Sequence, residues 1–118
     1  MDVKGVVIID DDEMIRNSLK LMLQNEHFNV YTASNGKEGL DLLNTIQSPC
    51  LILLDLMMPI MDGWEFLDLR KKNNILSKIP VVIISVFGHQ SKKIDVNGYL
   101  KKPVDRNSLI EIVRRFCN

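Results

Sequence analysis

The sequence lacks the features that mark several broad classes of protein. No hydrophobic run approaches the roughly 18 residues needed to span a bilayer, and the apolar run near the N-terminus, GVVII, is too short for the core of a signal peptide. Neither sign of charge dominates, because fifteen basic residues balance fifteen acidic ones. We therefore expect a cytoplasmic chain that binds neither nucleic acid nor a membrane.

Cysteine is also scarce, and its spacing favours neither a disulfide nor a metal site. Cys50 and Cys117 are the only two cysteines, they lie far apart in the chain, and no C-x-x-C or Cys/His spacing surrounds them. Cysteines of this kind in a cytoplasmic protein are usually separate thiols. We therefore expect neither a Cys50–Cys117 bond nor bound zinc.

What the 118 residues do contain is an alternation of short apolar runs with longer segments of helical period, which is typical of one α/β domain. Three of the apolar runs are continuous, as in parallel strands covered by helices on both faces. The predicted strands are 5–9, 28–32, 50–54, 81–85 and 98–100. Helices are predicted to start at the caps Asp12, Ser34 or Asn35, Asp62 and Asp105.

The connection between the fourth and fifth predicted strands is unusually short. Only twelve residues separate Ser85 from Gly98, which is close to the lower limit for joining two parallel strands, and they show little helical periodicity. We predict at most one or two turns of helix within residues 86–97. The fourth helix of the fold is therefore expected to be shortened or absent.

Polar side chains come at the carboxyl ends of the predicted strands. In an open parallel sheet, ligands bind beyond these ends, next to the point where the strand order reverses. With strand order 2-1-3-4-5, the first and third strands are neighbours there. The side chains expected at this edge are those of Asp10, Asp11, Asp55 and Ser85, together with Lys101 and Lys102 at the end of the fifth strand.

The three carboxylates of this set require a cation. Two carboxylates about 4 Å apart repel each other by roughly 4 kcal/mol at an effective dielectric constant of about 20. A cluster of oxygen ligands without histidine or cysteine suits Mg²⁺, and the lysine and the hydroxyl would suit a phosphoryl group. The pattern therefore favours a site that binds a divalent cation and phosphate together.

The segments that carry these residues resemble the response-regulator receiver domain, the phospho-acceptor module of two-component signalling. The segments are VVIIDDDEMIR, LILLDLMMPIMDGWEFL, VVIIS and GYLKKP. The resemblance covers essentially the whole chain, residues 1–118. It implies a single receiver domain with a flavodoxin-like, doubly wound sheet of five parallel strands in the order 2-1-3-4-5.

The resemblance also implies roles for the acidic residues. Asp55 would be phosphorylated by a phosphohistidine on a sensor histidine kinase or a histidine phosphotransfer protein. Asp11 and Asp55 would bind Mg²⁺ directly, Asp10 would bind it through water, and the backbone carbonyl of Met57 would complete the protein's share of the ligands. Such a domain is not an enzyme for other molecules, since it catalyses only its own phosphorylation and dephosphorylation.

The remaining roles implied by the resemblance belong to residues within or just after the last two predicted strands. Ser85 and Lys102 would contact the phosphoryl oxygens, and Tyr99 would be an aromatic switch that turns inward when Ser85 moves to the phosphate. The bond before Pro103 would be cis, as in members of the family.

Three other functions are compatible with parts of the sequence to different degrees. One is a receiver fold that works as an interaction domain independently of phosphorylation. This alternative stays open, because the shortened segment 86–97 belongs to the family's signalling and dimerisation face. A homodimer is also open.

A haloacid-dehalogenase-type phosphatase needs a second aspartate two residues after Asp55, where this chain has Met57. A flavodoxin-like cofactor binder needs a Gly-rich or Ser/Thr-rich phosphate loop after the first strand, which the sequence does not have.

Overall fold

Five parallel strands form one sheet in the computed structural model, which describes residues 5–87 and 95–117. Their order, β2-β1-β3-β4-β5, confirms the predicted fold class. The predicted strands match the observed ones to within one residue at each end. The strands are β1 (Gly5–Ile9), β2 (Asn29–Ala33), β3 (Leu51–Asp55), β4 (Val81–Ser85) and β5 (Gly98–Lys101).

The burial of the strands follows from their places in the sheet. All residues of β1, β3 and β4 are buried, because these central strands are covered on both faces. The edge strands β2 and β5 are only partly buried. Because the side chains of a strand alternate, each central strand contributes to two separate cores, one on each face of the sheet.

In the described part of the chain, four α-helices cover the two faces of the sheet. They are α1 (Glu13–Asn25), α2 (Gly36–Leu43), α3 (Gly63–Lys71) and α4 (Arg106–Phe116), and a 3-10 turn spans Leu76–Lys78. Each α-helix begins after a side chain that accepts hydrogen bonds from the amides of its first turn. These caps are Asp12, Asn35, Asp62 and Asp105, all among the predicted ones.

Each face of the sheet has its own pair of helices. On one face, Leu19 and Leu23 of α1 and Leu109 and Val113 of α4 pack in one core with the strands. On the other face, Phe66 is the largest fully buried side chain of a core formed with α2 and α3. Each such large side chain contributes about 1.5–3 kcal/mol by leaving water. This two-sided packing fixes the carboxyl ends of the strands at one edge.

The connection from β4 to β5 contains no helix in its described residues, which are 86–87 and 95–97. The prediction of at most one or two helical turns falls mainly on residues 88–94, which lie outside the described residues. The four helices of the described ranges agree with a fold whose fourth helix is shortened or absent. Within those same ranges, no helix has the length and apolar character needed to cross a membrane.

The expectation of two separate thiols is wrong, because Cys50 and Cys117 form a disulfide. Cys50 directly precedes β3, and Cys117 directly follows α4. Both residues pack against the core that α1 and α4 share with the sheet. The packing of α4 therefore brings the end of the chain to the start of β3, a meeting that the spacing of the cysteines could not reveal.

Candidate functional site

Three carboxylates meet beyond the ends of β1 and β3. Asp10, Asp11 and Asp55 each offer an oxygen that lies within 4.8 Å of the oxygens offered by the other two. Asp10 and Asp55 are buried, with 0% and 5% of their surface exposed, whereas Asp11 is exposed. The structure thus brings together the acidic trio expected from the sequence.

Asp10 is held by hydrogen bonds from the start of α1. Its Oδ1 accepts a hydrogen bond from the amide of Asp12 at 2.9 Å, and its backbone carbonyl accepts one from Arg16 Nη1 at 2.7 Å. Its own amide donates to the carbonyl of Ala33 in β2 at 3.1 Å. Sequence reasoning missed Arg16, since a basic residue in the first turn of a helix is too common to indicate a role.

Asp55 is held by the backbone of the loop that follows β3. The amide of Met57 donates to Asp55 Oδ1 at 3.4 Å, and the amide of Gly63, the first residue of α3, donates to the carbonyl of Leu56 at 2.9 Å. A Cβ atom on Gly63 would lie 2.7 Å from the carbonyl oxygen of Asp55 and from Cα of Leu56. Glycine is therefore required where α3 begins against the backbone of Asp55 and Leu56.

Lys102 supplies the positive charge that faces the carboxylates. Its Nζ lies 2.8 Å from Asp10 Oδ2 and 3.5 Å from Asp55 Oδ1. Its backbone amide donates to the carbonyl of Ser85 at 2.8 Å, and the Lys102–Pro103 peptide bond is cis. The end of β5 is thereby fixed to the end of β4, with the lysine side chain directed at the acidic trio.

Ser85 and Tyr99 take different places relative to this trio. Ser85 is buried at the end of β4 and lines one cleft with Asp55 and Lys102, and its Oγ accepts a hydrogen bond from the amide of Phe87 at 3.1 Å. Tyr99 lies half-buried on β5, where it packs against the core formed with α2 and α3. The hydroxyl thus lies at the site, and the tyrosine lies on the neighbouring edge strand.

Apolar side chains form part of the rim of the cleft. Met57 and Phe87 are 77% and 75% exposed, and both line the cleft together with Val86 and Trp64. Trp64 is 37% exposed. Trp64, the single tryptophan of the chain, thus lines the same cleft as Asp55 and can serve as a fluorescent probe of that cleft.

The surroundings change the acidity of two groups in opposing ways. The pKa of Asp55 is raised to about 6, mainly by burial and then by the charge of Asp10, although Lys102 and the amide of Met57 act to lower it. Burial acts to lower the pKa of Lys102, but hydrogen bonding and charge from Asp10 and Asp55 outweigh burial and raise it. Lys102 therefore stays charged at neutral pH, and Asp55 is a carboxylate that gains strongly from a further cation.

The donor set fits a hard divalent cation. Three carboxylates offer closely spaced oxygens, and one of them, Asp11, is exposed at the mouth of the cleft, where an ion and its water ligands could enter. Mg²⁺ commonly binds through one or two carboxylates while it keeps several waters. The three carboxylates can therefore hold a hard divalent cation such as Mg²⁺.

Comparison with known proteins gives the family. Residues 6–114 match the model of the response regulator receiver domain, and the chain therefore belongs to the response-regulator receiver family, a family of signalling domains in two-component systems. The function predicted from the four motifs is thus confirmed at the level of the family.

Individual relatives agree with this membership. The chain is 37% identical over 113 residues to a probable transcriptional regulator, ycf29, of Pyropia yezoensis, and 37% identical over 119 residues to the cell cycle response regulator CtrA of Brucella ovis. These matches cover 92% and 93% of the chain but 50% of each relative. The chain thus spans about half the length of these curated relatives.

A solved structure shows the same fold. The chain is 32% identical to a CheY-like response regulator receiver domain protein from Methanospirillum hungatei, with a TM-score of 0.84. The match covers 98% of this chain and 95% of the other.

Proposed function

We propose that residues 1–118 act as one receiver domain, which accepts a phosphoryl group on Asp55 and serves as a signalling switch in a two-component phosphorelay. The donor is a phosphohistidine on a sensor histidine kinase or a histidine phosphotransfer protein. The single observation that carries the proposal is the position of Asp55 at the end of a buried strand, 3.5 Å from Lys102 and close to Asp10 and Asp11.

In the proposed transfer, an oxygen of Asp55 attacks the phosphorus atom in line with the leaving histidine nitrogen. A P–O bond to Asp55 forms as the P–N bond to the imidazole breaks. The attacking carboxylate must be deprotonated, which a pKa of about 6 permits at neutral pH. Positioning and charge neutralisation supply most of the acceleration in such transfers. The rigid strand β3 provides the positioning, and Lys102 provides part of the charge neutralisation.

The acidic trio would complete the neutralisation by binding Mg²⁺. Asp11 and Asp55 would contact the ion directly, Asp10 would contact it through water, and Met57 would contribute its backbone carbonyl. When bound, the ion would offset the charges of the carboxylates and of the transferred phosphoryl oxygens. Lys102 and Ser85 would bind the remaining phosphoryl oxygens.

The switch would start at Ser85. Its Oγ accepts a hydrogen bond from the amide of Phe87, so movement of the hydroxyl towards a phosphoryl oxygen would alter the start of the connection to β5. Tyr99, half-buried on β5, would then turn inward as the aromatic member of the switch. Phosphorylation would thereby be passed from Asp55 to the surface around β5.

Phosphorylation by a small donor tests the proposal without a kinase. The protein is incubated with acetyl phosphate and Mg²⁺, and its intact mass and Trp64 fluorescence are followed. We expect the wild type and Asp41→Asn, whose carboxyl lies exposed on α2, to gain one phosphoryl group. Asp55→Asn, and the wild type in excess chelator, should gain none.

Two results would contradict the proposal. One is the absence of any mass gain in the wild type with Mg²⁺; the other is an equal gain in Asp55→Asn. The first result would favour the alternative of a receiver fold that binds its partners independently of phosphorylation.

A further inference from the structure

The disulfide links two parts of the fold that the proposed phosphorylation does not use. Cys50 and Cys117 are the only cysteines of the chain, and their Cα atoms lie 5.3 Å apart. Cys50 lies immediately before β3, and Cys117 immediately after α4. The bond therefore joins the amino end of a central strand to the carboxyl end of the last described helix.

The two ends of this bond differ in how firmly the rest of the structure holds them. The amide of Cys50 donates to the carbonyl of Gly5 in β1 at 2.9 Å, and the next residue, Leu51, is fully buried. Cys117 is held by one turn of helix, through a hydrogen bond from its amide to the carbonyl of Val113 at 2.8 Å. Because helix ends open more easily than central strands, the bond restrains α4 rather than the sheet.

The rest of α4 has other attachments. Leu109 and Val113 are fully buried against the sheet. Arg106 and Arg114 form ion pairs with Glu26, at the end of α1, at 2.9 and 2.6 Å. Loss of the disulfide would therefore leave the helix docked and would affect only the turn that follows Val113.

We propose that the Cys50–Cys117 bond is a redox-sensitive tether, which holds the last turn of α4 on the sheet when oxidised and releases it when reduced. Both cysteines are partly exposed rather than buried, and disulfides near the surface exchange more readily than buried ones. The proposal does not depend on phosphorylation of Asp55.

The chemistry is a thiol–disulfide exchange with a dithiol. A thiolate of the reductant attacks one sulfur of the bond, forms a mixed disulfide and expels the other cysteine as a thiolate. The second thiol of the reductant then attacks the mixed disulfide and releases the remaining cysteine. Two electrons pass from the dithiol to the protein, the two cysteines end as thiols, and the reductant ends as a disulfide. A disulfide oxidant such as glutathione disulfide reverses these steps.

The tether and the acceptor lie at opposite ends of the same strand. Cys50 precedes β3, and Asp55 is its last residue, so about 17 Å separates them at the rise of a parallel strand. Reduction changes no charge near Asp55. We therefore expect phosphorylation by acetyl phosphate to proceed equally in the oxidised and reduced protein.

Hydrogen exchange of the full chain tests the tether. Wild type, Cys50→Ser and Cys117→Ser are each equilibrated with glutathione disulfide or with dithiothreitol, and exchange is followed by mass spectrometry. In the wild type, we expect the amides of Arg115, Phe116 and Cys117 to exchange at least about tenfold faster after reduction, while those of Ile112 and Val113 change little. Both variants should behave like the reduced wild type in either buffer.

Alkylation of free thiols before mass analysis supplies the second measurement. We expect an intramolecular disulfide in glutathione disulfide and two free thiols in dithiothreitol. The proposal is overturned by equal exchange of the last turn in both buffers, by thiols that stay free in glutathione disulfide, or by a bond between two chains. A bond that withstands millimolar reduced glutathione would also overturn it, because the disulfide would then be a permanent structural link.

Discussion

The ammonium group of Lys102 lies closer to Asp10, at 2.8 Å, than to the expected acceptor Asp55, at 3.5 Å. Asp10 is fully buried, so its pairing with Lys102 offsets the cost of removing this carboxylate from water. The lysine therefore stabilises the unphosphorylated domain, and a phosphoryl group on Asp55 would compete with Asp10 for it.

Removal of the lysine should destabilise the fold through Asp10. We expect Lys102→Met to lose about 3 kcal/mol in the free energy of unfolding at pH 7, because it leaves a buried carboxylate unpaired. Urea denaturation measures the loss. The neighbouring exposed Lys101→Met should change it by less than about 0.5 kcal/mol. Equal effects of the two substitutions would show that Asp10 does not depend on Lys102.

The acidity of Asp55 predicts a dependence of stability on pH. Its pKa rises from 3.8 to about 6 on folding, so the folded state binds the proton more tightly. The free energy of unfolding of the wild type therefore falls as pH rises from 3.8 to about 6. Asp55→Asn does not show this fall, because its amide does not titrate. We expect the stability of the variant relative to the wild type to be about 2–3 kcal/mol greater at pH 8 than at pH 4 in metal-free buffer.

Mg²⁺ provides the control for this experiment. At pH 8 the ion should stabilise the wild type more than Asp55→Asn, since it binds the folded carboxylates. A stability difference that stays constant with pH, or that grows towards low pH, would contradict the raised pKa of Asp55.

The start of α3 against the acceptor predicts an intolerance of side chains at Gly63. A Cβ atom there would lie 2.7 Å from backbone atoms of Asp55 and Leu56, so we expect Gly63→Ala to lose about 2–3 kcal/mol in the free energy of unfolding and to slow phosphorylation. In the control Gly98→Ala, the nearest atom is the end of the flexible Ile112 side chain at 3.2 Å. Urea denaturation should show a loss of less than about 1 kcal/mol for the control, and a larger loss there than for Gly63→Ala would refute the close contact.

The apolar rim predicts slow loss of phosphate. Met57 and Phe87 line the cleft, and neither side chain can accept a proton from an attacking water. We expect Phe87→Glu to increase the rate of dephosphorylation of Asp55 about tenfold, as followed by intact mass after removal of acetyl phosphate. Ile75→Glu, at a position that is 71% exposed and outside the cleft, is the matched control. A rate that falls or stays unchanged in Phe87→Glu would count against the role of the rim.

Ile60 has a backbone conformation that suits glycine. Its φ is 68°, an unfavourable value for a β-branched residue, and its side chain is 78% exposed. We expect Ile60→Gly to raise the free energy of unfolding by about 0.5–1 kcal/mol, because the relief of strain exceeds the small loss of buried area. Ile75→Gly, where φ is −81°, should lower it. Denaturant melts of the two variants would then shift in opposite directions.

The strands and helix starts could be predicted from the sequence because their causes are local. The continuous apolar runs of β1, β3 and β4 and the caps Asp12, Asp62 and Asp105 each depend on a few adjacent residues. The acidic trio could be predicted as well, since the carboxyl ends of neighbouring parallel strands share one edge of the sheet.

Contacts between side chains of separate elements, in contrast, follow only from the way the whole domain packs. The preference of Lys102 for Asp10, the hydrogen bond from Arg16 to the carbonyl of Asp10, and the Cys50–Cys117 bond all depend on where packed helices and strands come to rest. Hydrophobic period and capping chemistry act over a few residues of the chain. Distances between remote side chains follow from the packing of the whole domain, and these distances decide which charges pair and which cysteines meet.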